Sequence, residues 1–182
     1  MNKKNLIQRG FVFGVLSLAA IGASAPAYAN PAQVMLEGTV AAKCAYTSGD
    51  QTISLGEMAD PTTGQLNAAS INAKSVKLTG FCNGINSTIT VAARGINNLS
   101  LPSGYVAVPG FATSVGFTST ATAGSVTSSD YSSDTIQPTA KPLGLFAGDI
   151  TVTLSNATQL ASGVLVAGNY EGSTTITLTP SV

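Results

Sequence analysis

Apolar and β-branched residues recur at every second position along most of this chain, in short runs separated by turn residues. That period of two constrains the fold more than any other feature. Gln33 to Val40 alternates, with Val34, Leu36, Gly38 and Val40 on one face. Thr52-Ile53-Ser54-Leu55 ends at Gly56, and Ser75 to Thr79 runs on into Phe81-Cys82. Thr88 to Val91, Tyr105 to Val108, Ile150 to Leu154 and Tyr170 to Thr179 follow, with weaker signals at Val115 to Phe117 and Gly163 to Val166. In the last strand Ile176 and Leu178 share a face with Thr174. Alternation with β-branched enrichment reads as half-buried strands. About eight such strands, spaced by turns, predict an all-β sandwich.

Two stretches carry no strand pattern. Ala59 to Ala73 is a poor helix, broken by Pro61 and Gly64 and without a 3.6-residue period. Ser119 to Pro142 is rich in Ser and Thr and reads as a long surface loop, or as one holding a single poorly marked strand.

The N-terminus reads as an export signal. Lys3, Lys4 and Arg9 precede an apolar run from about Phe11 to Ile21, and Ala27-Tyr28-Ala29 has the small-x-small form of a cleavage site. The run is too short to span about 30 Å of hydrocarbon. The expected organisation is a signal peptide over 1–29 and a single domain over 30–182, with no transmembrane segment in the mature chain. Without the leader, five cations (Lys43, Lys74, Lys77, Arg94, Lys141) face 8 acids. A weakly acidic, sparsely charged surface predicts no nucleic-acid partner.

Export also bears on Cys44 and Cys82, the only 2 cysteines. An even pair in an oxidising compartment predicts one disulfide. Closing a loop of this length is worth roughly 4 kcal/mol in the chain-entropy picture. No CxxC spacing or clustered cation suggests a reactive thiol instead.

Enzymatic chemistry finds little to stand on, and no enzyme activity, metal or cofactor is expected. The chain has no His, which removes the usual general base and the commonest metal ligand. A serine nucleophile needs a base, and no Ser-x-x-Lys motif is present. Asp130 and Asp134 lie in the Ser-rich stretch, and Asp60 and Asp149 beside turns. Their spacing matches no calcium loop, so solvated loop acids are the expectation.

Several segments resemble one family. Glu37-Gly38-Thr39-Val40-Ala41-Ala42-Lys43-Cys44 is similar to the opening of chaperone–usher pilins, where a Gly-x-Val strand leads to the first cysteine. Thr52-Ile53-Ser54-Leu55-Gly56 resembles the strand after it, and Val76-Lys77-Leu78-Thr79-Gly80-Phe81-Cys82 the strand carrying the second cysteine. Ala167 to Gly172 followed by Thr174 to Leu178 looks like the final strand, especially that of the spore-coat-U-like branch that includes archaic pili. Together these segments cover roughly a third of the mature chain.

The resemblance implies an immunoglobulin-like sandwich lacking its last strand, with the gap beside the chain's final strand. It implies a structural subunit of a fimbrium or surface fibre that passes through the periplasm to the cell surface. The implied partners are a periplasmic chaperone, an outer-membrane usher and other pilin subunits. Donor-strand candidates are Val34, Leu36, Gly38 and Val40. Candidates for the edge of the acceptor groove are Tyr170, Thr174, Ile176 and Leu178. Strand addition of this kind draws affinity from main-chain hydrogen bonds and register from alternate side chains. Residues 30–43, about 46 Å when extended, must hold both a donor strand and a separate first strand. The alternative expectation is a self-contained, exported, adhesin-like binding module using the 119–142 loop.

Overall fold

A computed structural model describes residues 32–182. The leader expected over 1–29 lies outside the described residues. The chain divides into two units, Met1–Gly38 and Thr39–Val182. The second unit contains every strand among the described residues, and none of the described helices is long and apolar enough to cross a membrane.

The fold is all-β, a sandwich closed by one disulfide. Its strands are β1 (Cys44–Tyr46), β2 (Ser75–Cys82), β3 (Thr88–Asn98), β4 (Phe111–Ala112), β5 (Ser114–Ala123), β6 (Val126–Tyr131), β7 (Lys141–Pro142), β8 (Phe146–Gln159), β9 (Val164–Leu165) and β10 (Tyr170–Thr179). The main path runs β1-β2-β8-β5-β3-β10, with β6 added to β5 and β7 to β3; β4 and β9 form a small pair of their own. Pairings along the main path are antiparallel, and β4 with β9 is parallel. β1 and β10 are therefore the two ends of the path. They meet at one point, where the Tyr46 hydroxyl donates to the Ile176 carbonyl at 2.7 Å.

Alternation decides what fills the interior. β3 turns Ile89, Val91 and Ile96 inward, β8 turns in Ile150, Val152 and Leu154, and all are buried. The core forms two clusters. One gathers around Ile71, Ile96, Val115, Phe117 and Leu154, the other around Ile89, Val91, Ala121, Ile150 and Val152. β5 and β8 feed both, and they shift register between Gly116 and Thr118. Asn156 takes a left-handed φ of 51° on the facing strand, which Asn tolerates better than most residues, so the extra residue of the bulge is absorbed there. Cys44 and Cys82 are register partners in β1 and β2 and are bonded to each other.

The structure departs from the sequence expectations in four places. Ser119 to Pro142 is not one long loop: it holds the end of β5 and all of β6 and β7. Its inward residues are small, among them Ser119, Ala121, Ala123 and Ser128, so burial there leaves no hydrophobic pattern to read. Apart from the Gly124–Ser125 turn, only residues 132–140 lack strand structure, which leaves little of the ligand loop that the adhesin-like alternative requires. Tyr105 to Val108 is not a strand; it lies between turns with positive φ at Gly104 and Gly110, and Val106 is 78% exposed, with no core to face. The expected strands at Gln33–Val40 and Thr52–Leu55 are also absent. Ala59–Ala73, whose broken pattern argues against a helix, contains one short 3-10 turn, Ala68–Ser70, capped by the Asn67 side chain.

Candidate strand-docking groove

The backbone of β10 is satisfied on one side only. Thr174 faces Ala93 and Ile176 faces Val91 in the register with β3. Opposed residues in an antiparallel ladder either exchange both hydrogen bonds or turn both sets of groups away. Ala93 gives its N–H to the Asp130 carboxylate (2.8 Å) on the side of β3 away from β10. The Ala93–Thr174 pair is thus of the second kind, and so is Val91–Ile176. Thr174 and Ile176 turn their N–H and C=O groups outward, where no strand pairs with β10 among the described residues.

Across from this edge runs a second unpaired segment. The N–H groups of Thr47 and Ser48 both donate to the Thr79 carbonyl. From Asp50 to Glu57 the chain makes no backbone–backbone hydrogen bond to any described residue. Ile53 and Leu55 nevertheless alternate inward and pack against the Ile96–Phe117 core cluster, while Thr52, Ser54 and Gly56 are exposed. The alternation seen in the sequence is correct for side chains; what is missing is a neighbour for the main chain.

Between the two edges lies a groove of about 1070 Å³. Its floor is apolar, formed by Val76, Leu78, Ile96, Phe117, Val152 and Leu154. Its β10 wall runs from Ala167 to Ile176. Three of the four expected edge residues, Tyr170, Thr174 and Ile176, line it. Leu178 does not; it packs against the second core cluster, beyond the end of the groove. Gly172 lies where the β10 register shifts, and a Cβ there would sit 2.7 Å from Ile96 Cγ1. Only glycine lets the edge approach the floor so closely.

Tyr46 was not singled out in the sequence, yet it closes one end of the groove. Partial burial pushes its hydroxyl up to about 12, so it remains a donor at any physiological pH. A lone tyrosine beside a cysteine carries no periodic signal, and nothing short of the fold places it against Ile176.

The expected donor residues lie elsewhere. Val34 and Leu36 are 83% and 92% exposed, Val40 is 84% exposed, and a Cβ on Gly38 would meet nothing within 4 Å. No strand is present between Ala32 and Lys43, so β1 begins only at Cys44 and takes none of these residues. Asn83 fixes the chain just before β1. Its side-chain oxygen accepts from the Lys43 N–H, its amide donates to the Ala41 carbonyl (3.1 Å), and its own N–H donates to the Lys43 carbonyl (3.0 Å).

The acids form no site. Asp149 pairs with Lys77 at the surface (3.6 Å) and Asp130 is bound to Ala93. Asp60 caps its own turn: the N–H groups of Thr63 and Thr62 and the Thr63 hydroxyl hold its carboxyl below the usual carboxylate range. No group of three or more potential metal ligands occurs among the described residues. No family model, curated protein or solved structure matches this chain.

Proposed function

We propose that this chain is a structural subunit of an exported pilus or surface fibre, and that neighbouring copies are joined by strand donation. The observation that carries this reading is the groove itself: two facing backbone edges, unpaired among the described residues, over an apolar floor. Exposed strand edges are templates for another chain. An extended segment between β10 and Asp50–Glu57 would satisfy both edges and complete an immunoglobulin-like sandwich.

The donor in this reading is Gln33–Val40 of a second copy. The segment is eight residues long, about 26 Å at strand spacing, and fits within the ten-residue wall from Ala167 to Ile176. Val34, Leu36, Gly38 and Val40 would face the floor. A β1 that starts at Cys44 leaves the whole donor free, and the Asn83 clamp separates it from the domain by Ala41 to Lys43. A periplasmic chaperone strand would cover the groove in transit, and an outer-membrane usher would bring the subunits together.

Deleting Pro31 to Glu37 tests this. The expected result is a folded subunit that forms a stable chaperone complex and never enters fibres. Fibres built from the deleted chain would refute the donor assignment.

A further inference from the structure

The groove ends where Tyr46 reaches across it, and that contact bears on how far a guest strand can pair. This inference rests on the strand-donation reading. Thr174 and Ile176 both turn their main-chain groups toward the groove, so a guest extending along β10 would meet Thr174 first and Ile176 next. The Ile176 carbonyl, however, already accepts from the Tyr46 hydroxyl at 2.7 Å. A guest N–H donating to that carbonyl would bring its nitrogen to about 2.9 Å from the same oxygen. A carbonyl oxygen has two lone pairs, so the guest N–H competes with the Tyr46 hydroxyl for it, and the phenol stands on the same outward side of β10 from which the guest must approach.

The stop is built into the fold. Tyr46 is the register partner of Gly80 in β2. A Cβ at Gly80 would lie 3.4 Å from Tyr46 Cδ1, 3.5 Å from Leu178 Cδ1 and 2.9 Å from the Ala45 carbonyl oxygen. The clash is with the Ala45 carbonyl oxygen, so glycine at 80 lets β1 lie close against β2, with the Tyr46 ring in contact distance above it. Two residues earlier, Cys44 is bonded to Cys82, which ties β1 to β2. Beyond the ring, Leu178 is half-buried against the second core cluster and does not line the groove.

We propose that Tyr46 is the residue that sets the length and register of the guest strand: by holding the Ile176 carbonyl it ends main-chain pairing at Thr174. It acts on the guest by position, and the groove floor supplies the remaining affinity.

The test uses the mature full chain carrying Leu36→Asp, which disables its own donor segment, with and without Tyr46→Phe. The probes are a fluorescent peptide with the sequence of Gln33–Val40 and two longer forms extended by two valines at either end. With Tyr46 present, lengthening the end that meets the ring changes affinity by less than about twofold. With Phe there, the freed carbonyl and the adjacent N–H take up the extension, and affinity rises about tenfold for that one peptide. Equal gains on both proteins would remove the stop and leave the groove. Failure of every peptide to bind either protein would remove the groove reading, and the stop with it. If the Phe variant folds poorly, amide exchange on the Tyr46 protein decides. Peptide binding then slows exchange at Thr174 at least tenfold and leaves Ile176 unchanged; protection of both amides overturns the proposal.

Discussion

Leu36→Ala separates a folding residue from an assembly residue. Leu36 is 92% exposed, so it contributes almost nothing to the stability of the subunit that carries it. In the docked state it would lie on the apolar floor between Val34 and Gly38. Truncating leucine to alanine removes close to three carbons. At about 0.8 kcal/mol for each buried methylene this weakens docking by about 2 kcal/mol, roughly 30-fold in Kd. Surface substitutions that touch nothing usually change folding stability by less than about 0.5 kcal/mol. Met35→Ala is the matched control. Met35 is also exposed, at 81%, but alternation puts it on the other face of the donor, and its loss is expected to cost less than about threefold. Sedimentation velocity gives the assembled fraction, and thermal unfolding of the unassembled subunit gives its stability. The reasoning fails if the two variants assemble equally well. It fails equally if Leu36→Ala lowers the melting temperature of the lone subunit.

Two further outcomes follow from the same geometry. Thr174→Pro removes an outward-facing N–H and no bond to β3, so the subunit is expected to fold while association falls roughly 10- to 100-fold; loss of the folded subunit would show that Thr174 pairs inward. Tyr46 is expected to titrate near 12 in an ultraviolet absorbance titration. Because its folded pKa is raised above 10, its contribution to stability is complete below pH 10 and is lost between about 10 and 12. Tyr46→Phe is expected to flatten alkaline unfolding across that window, and an unchanged profile would show that Tyr46 is not the group responsible.

Local pattern determined a good deal about this protein. The inward face of β10, with Thr174, Ile176 and Leu178, was legible because a half-buried strand must alternate. So was the Cys44–Cys82 bond, since a chain with two cysteines has one simple way to pair them. Even the Ile53 and Leu55 faces were right. What alternation cannot report is whether a segment has a neighbour. A hydrogen-bonded ladder needs a second chain segment brought in from far along the sequence, and Thr52–Leu55 alternates as a strand does with none beside it. The β5–β6 hairpin was hidden for the opposite reason: close packing there admits only Ala and Ser, which look like loop residues. The floor of the groove and the Tyr46 contact belong wholly to tertiary structure. Residues 46 and 176 meet because the two ends of a six-strand path curl toward each other, and no local propensity encodes that closure.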